Sequence, residues 1–172
     1  HQYYRDVATH KSCSNCNSPC TISRDDFETD ETCLWDVLSG SYTAGGGVMT
    51  MTADGSIQHH IFHPGLKHAQ IITGRLGATG LHKGFLGSTY FDFDGTTVNL
   101  YARNTTLLDT DEDSPVSLVP DADGMLNFEL CQSEFSFATV TISDNVGHEL
   151  CASSSFSEVT DGYWAALGGD NG

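Results

Sequence analysis

Apolar side chains recur at every second position in short runs, and the runs are broken by Asp-Gly pairs or clustered glycines. This pattern predicts half-buried antiparallel strands rather than helices. Residues 88–102 are the clearest case. With Asp94 and Gly95 as the turn, Phe91 and Phe93 share a face with Val98 and Leu100, while Tyr90, Asp92, Thr97 and Asn99 take the other. The same dipeptide at Asp54-Gly55 predicts a hairpin of residues 48–53 and 56–62, in which Thr50 faces His59 and Met49 faces His60. Asp123-Gly124 separates residues 117–119 from 126–130 and puts Val119, Leu126, Phe128 and Leu130 on one side; Asp161-Gly162 leads into a last strand over 163–167. Within residues 134–142 the apolar phase shifts between Phe137 and Ala138, which predicts a bulge. Residues 69–73, 148–152 and 155–159 read as further short strands, and five glycines between 74 and 87 predict bulged strand and loop.

Together these elements predict an all-β chain with one antiparallel β-barrel or β-sandwich of about 8–10 strands. Consecutive hairpins favour the closed barrel, because closure removes edge strands. The chain has 172 residues and divides by pattern into an aperiodic, Cys-, Ser- and Asn-rich arm (1–32), a β-domain (33–167) and a short flexible tail (168–172). The run Leu38-Ser-Gly-Ser-Tyr42 resembles the opening of lipocalin-type barrels, with Tyr42 where that family has Trp.

Charge narrows the partners. Lys and Arg total 7 against 23 Asp and Glu, a formal charge of −16, which excludes nucleic acid and anionic membranes. No apolar run approaches the ~18 residues of a membrane-spanning helix. A small ligand, a glycan or self-association remains as the class of partner. Asp109, Asp111 and Asp113 alternate in an acidic loop over residues 104–114 and offer oxygen ligands for an irregular Ca2+ site. An EF-hand is excluded, since its glycine and bidentate glutamate positions fall on Ser114 and Pro120.

The six cysteines have two readings. Cys13, Cys16, Cys20 and Cys33 offer four thiolates for zinc, but their spacing lacks a second C-x-x-C knuckle. The alternative is three disulfides pinning the N-terminal arm, with Cys131 joined to Cys151 and the first four paired among themselves. The sequon Asn104-Thr105-Thr106 and a chain beginning at His1, as after leader cleavage, favour the disulfides and predict a secreted, extracellular glycoprotein modified at Asn104.

Five of the eight histidines fall within residues 47–82. Adjacent residues on a strand point to opposite faces, and His59 and His63 would lie roughly 13 Å apart, so chelation needs ligands from separate elements. His1, His60, His68 and His82 are the candidate set, for copper or zinc. An N-terminal histidine binds copper through its amine and its ring. In this His1 resembles the histidine brace of lytic polysaccharide monooxygenases, which implies a copper-dependent, polysaccharide-oxidising activity with His60, His68 or His82 as the second ring. The run Gln2 to Asp6 departs from that family's first strand. No nucleophile elbow, HExxH helix, phosphate loop or dinucleotide fingerprint occurs. A non-catalytic binding or self-assembly role, in a matrix or filament, is therefore expected ahead of the copper enzyme.

Overall fold

In the computed structural model, residues 27–28, 35–51, 55–59, 70–112, 117–133, 136–157 and 163–170 are described. They form thirteen strands: β1 (Trp35–Ser39), β2 (Tyr42–Gly45), β3 (Val48–Met51), β4 (Gly55–His59), β5 (Gln70–Gly77), β6 (Leu81–Gly87), β7 (Thr89–Phe93), β8 (Thr97–Ala102), β9 (Leu107–Glu112), β10 (Met125–Gln132), β11 (Phe137–Ser143), β12 (Glu149–Ser155) and β13 (Tyr163–Asp170). A seven-stranded sheet runs β1-β4-β13-β6-β7-β8-β9, a four-stranded sheet runs β12-β11-β10-β5, and β2-β3 is a separate ribbon. All pairings are antiparallel. The two larger sheets share one core, and no closed barrel forms among the described residues.

That core follows from alternation. On the seven-stranded sheet Leu86, Phe91, Phe93, Val98 and Leu100 point inward; the four-stranded sheet answers with Leu76, Leu126, Phe128, Leu130, Ala138, Val140, Ile142, Leu150 and Ala152. At the centre, Phe91 and Phe128 meet across the layers with ring centroids 5.5 Å apart, tilted by 47°. Each ring lies over a glycine in its own sheet. Phe91 is the cross-strand partner of Gly84, and Phe128 of Gly74. A Cβ on Gly84 would come within 2.4 Å of Phe91 Cε1, and one on Gly74 within 2.9 Å of Phe128 Cε1. Of the five glycines expected to break residues 74–87 into loop, four sit in β5 and β6, two of them, Gly74 and Gly84, as notches for the core phenylalanines, and Gly80 lies in the turn between these strands with φ +83°.

Two expected hairpins differ. Residues 48–51 pair with β2, not with residues 56–59, which lie in the seven-stranded sheet between β1 and β13. The turn joining β2 and β3 is Gly46-Gly47, with φ of +60° and +83°. A two-residue type I′ turn needs positive φ at both central positions, and a Gly-Gly pair supplies it more readily than Asp-Gly. In the β7–β8 hairpin the observed pairs are Phe93 with Val98 and Phe91 with Leu100, so the register is two residues off the expected one. The faces survive because a shift by the side-chain period of two leaves every residue on its own side. The longer turn is shaped by Asp94, whose Oδ1 accepts the N–H groups of Thr96 and Thr97, both at 2.9 Å.

Further differences are local. Residues 107–112, read as acidic loop, form β9. Residues 149–155 are one strand rather than parts of two, and β13 continues through Gly168 and Gly169, which pair with β4 and β6 where a flexible tail was expected. Val119 is 48% exposed and Leu118 takes the core position instead. No bulge interrupts residues 137–143: β11 begins at Phe137, which is 44% exposed, and keeps one phase through Ala138, Val140 and Ile142, while Ser136 before it has φ +57°.

The β8–β9 turn holds a β-branched residue in the left-handed region, Thr105 at φ +71°. Such a conformation costs roughly 1–3 kcal/mol for a non-glycine residue. Urea denaturation is expected to show Thr105→Gly more stable than the parent by about 1 kcal/mol, and Gly84→Ala less stable by about 1–3 kcal/mol from overpacking against Phe91. A neutral Gly84→Ala substitution would show that the ring does not occupy that notch.

Candidate functional site

Strands β5, β10, β11 and β12 bury one face and turn the other outward. On the outer face, register brings residues into two rows across the strands: Thr73, Glu129, Thr141 and Cys151, then Arg75, Asn127, Ser143 and Glu149. Two residues separate the rows along each strand, about 7 Å. Between them, over the backbone of Gly74 and Phe128, lies a groove of about 430 Å³ lined by Thr73, Arg75, Asn127, Glu129, Thr141 and Ser143. Its floor is thus the strand pair that carries the Phe128-over-Gly74 packing.

Arg75 stands at one end, half-exposed, and its guanidinium donates to Asp121 and approaches Asp123 at 3.5 Å. Asp121 Oδ1 in turn accepts the N–H groups of Asp123 at 2.9 Å and Met125 at 3.1 Å. The Met125 and Asp123 amides, with Arg75, hold its carboxyl below the ordinary range. Arg75 is thereby fixed rather than left as a loose cation. Carboxylates outnumber it around the groove. The arrangement offers hydroxyl and amide hydrogen bonding on a rigid sheet, suited to binding a neutral polar ligand.

Among the described residues, the metal and calcium candidates singled out by sequence do not line this groove. His1, His60, His68, Asp113, Cys13, Cys16, Cys20 and Cys33 lie outside the described residues. His82 is on β6, its Nε2 2.8 Å from the Thr79 carbonyl oxygen and its ring beside Gly77. A carbonyl only accepts, so Nε2 carries the proton and only Nδ1 remains for a metal. Asp109 and Asp111 point inward from β9, opposite Leu100 and Val98. Asp109 Oδ2 accepts the Ser153 N–H and Asp111 Oδ2 the Cys151 N–H, both at 2.9 Å. These carboxylates bridge the edges of the two sheets. Among the described residues no three His, Cys, Asp or Glu side chains group as a metal site. Asn104 is exposed in the β8–β9 turn.

The expected Cys131–Cys151 bond is not formed. β11 lies between the two strands, with Cys131 opposite Thr139 and Cys151 opposite Thr141. Two strand spacings are about 9.5 Å, beyond the ~7 Å Cα limit for a disulfide. Cys151 is an exposed free thiol, whereas Cys131 does not titrate as a free thiol and is disulfide-bonded. With one of six cysteines free, three intrachain bonds cannot form.

Two features gave no clear signal in sequence. On the outer face of the seven-stranded sheet, Phe85, Tyr90 and Tyr101 stack, with centroids 5.1 and 4.8 Å apart. Rings lying flat side by side cannot approach so closely, so they stand on edge and brace adjacent strands rather than forming a flat platform. Burial first, then the nearby Asp92 carboxylate, pushes the Tyr101 hydroxyl up to about 12. The second is Asp144, with a fully buried side chain. It accepts the N–H groups of Val119 (3.0 Å), Val146 (3.0 Å) and His148 (2.8 Å), and the His148 ring Nδ1 lies 2.8 Å away. No family model, no curated protein and no solved structure matches the chain.

Asp144 gives a pH signature. Burial pushes its carboxyl up, but the Val119 and His148 amides, the His148 ring and the Val146 amide outweigh burial and hold it well below the carboxylate range. A folded pKa below the unfolded ~3.9 stabilises the fold above that pH, and the contribution is lost as pH falls through the folded value. Thermal melts from pH 6 down to pH 2 should therefore fall more steeply below about pH 4 for the parent than for Asp144→Asn, which starts less stable. Parallel curves would remove Asp144 from the acid transition.

Proposed function

We propose that this chain is an extracellular, non-catalytic binding protein that takes an uncharged, polyhydroxylated ligand, a glycan segment, across the outer face of β5, β10 and β11. The groove of about 430 Å³ between the Thr73–Glu129–Thr141 and Arg75–Asn127–Ser143 rows carries this reading. Short hydroxyl and amide side chains in register provide donors and acceptors at a spacing that suits ring hydroxyls. The surplus of carboxylates, on a chain of formal charge −16, disfavours an anionic ligand. β5 also places part of the groove within residues 47–82, the stretch that stands out in the sequence. The disulfide at Cys131 supports an oxidising compartment.

Self-association is the second reading, favoured by Val37 and Leu38, 53% and 51% exposed on the outermost strand β1. Apolar side chains on an edge strand are a route to pairing with another copy. Cellohexaose, maltohexaose and chitohexaose titrated against the folded chain should include at least one binder. Asn127→Ala combined with Ser143→Ala should weaken that binder about tenfold or more, with only a small fall in melting temperature from loss of the exposed hydrogen bond that Asn127 Nδ2 donates to Asn145 Oδ1. Absence of binding, together with a concentration-dependent dimer abolished by Leu38→Lys, would replace glycan binding with self-association.

A further inference from the structure

We propose that Asn104 carries an N-linked glycan placed so that it covers the β9 side of the fold and leaves the groove open; this rests on the extracellular reading. A sequon is modified only where the asparagine is accessible and its backbone can enter an enzyme's site. Here Asn104, Thr105 and Thr106 are all exposed at the tip of the β8–β9 hairpin. The turn is closed by the Thr105 N–H donating to the Ala102 carbonyl and the Ala102 N–H to the Thr106 carbonyl, both at 2.9 Å. Asn104 Oδ1 accepts the Thr106 N–H at 3.1 Å, which engages the carbonyl oxygen and leaves Nδ2, the reacting atom, outside that hydrogen bond.

The transfer balances with an activated glycan diphosphate as co-reactant. Nδ2 attacks the anomeric carbon, the C–N bond forms as the carbon–oxygen bond to the diphosphate breaks, the diphosphate leaves with the bonding pair, and one Nδ2 proton is released. Position then sets the effect. Leu107, the next residue after the sequon and first of β9, is 52% exposed. A glycan at Asn104 would shield this apolar side chain at the start of an outer strand of the seven-stranded sheet. The same turn is tied to the end of the four-stranded sheet marked by Gln132, through Arg103 N–H to the Ser88 carbonyl (2.8 Å) and Ser88 N–H to Gln132 Oε1 (3.0 Å). Asn127 of the groove lies five residues back along β10 from Gln132, about 16 Å, which sets the glycan's point of attachment apart from the groove.

The test is expression of the full chain behind a secretion leader in a eukaryotic host, with intact mass and peptide mapping before and after amidase release of N-glycans. A glycan at Asn104, converted to Asp by the amidase, absent from Thr106→Ala and retained in Thr106→Ser, is expected. The glycosylated parent and Thr106→Ala should also bind the groove's oligosaccharide with affinities within twofold of each other. Secreted, folded protein with Cys131 oxidised and Asn104 bare would overturn the glycan while leaving the extracellular reading intact. Protein that folds only with all six thiols reduced would overturn both. A glycan that abolishes oligosaccharide binding would overturn its placement.

Discussion

The two layers are held in register by a pair of phenylalanines that reach each other only because each crosses a glycine. Phe91 lies over Gly84 on the neighbouring strand, Phe128 lies over Gly74, and the rings meet between the sheets. A side chain at either glycine would lift its ring and force the sheets apart, so two residues that are unfavourable for strands in isolation are required by the packing. The consequence reaches the surface. Gly74 and Phe128 supply the backbone floor of the outer groove, and the rigidity of that floor is set from inside by the ring contact.

The margins of the fold are governed by charge rather than by backbone pairing. β9 and β12 are outer strands of different sheets, and Asp109 and Asp111 join them by accepting two amides of β12. Inward-pointing carboxylates on an outer strand also discourage pairing with another chain. Elsewhere, Asp94, Asp121 and Asp144 each accept two or more backbone N–H groups at a turn. Much of the acidic excess near these turns therefore has a structural use, since an ionised carboxylate is a strong acceptor for amides that no strand satisfies.

Period-two patterning made the strand class and most inward faces legible: Phe91, Phe93, Val98 and Leu100 are buried as alternation requires, even with the register displaced by two. What failed was pairing. Asp54-Gly55 looked like a hairpin turn because the dipeptide fits one, yet the chain leaves β3 and enters another sheet, and only tertiary contacts distinguish the two outcomes. Glycines 74 and 84 read as breakers because the phenylalanines that need them lie on other strands. The acidic run 107–112 read as loop because its carboxylates serve a strand about 40 positions further on. The groove was illegible for the same reason: its rows exist only once β5, β10 and β11 are side by side, and Thr, Ser and Asn at solvent-facing positions carry no distinctive pattern.

The dependence of the layered fold on the Phe91–Phe128 contact is tested most directly by a double-mutant cycle of Phe91→Leu and Phe128→Leu, followed by equilibrium denaturation. A coupling of about 0.5–1.5 kcal/mol between the two substitutions is expected for rings that stabilise each other across the core. Additivity within about 0.3 kcal/mol would mean that each ring contributes independently, and that the sheets are not locked through their contact.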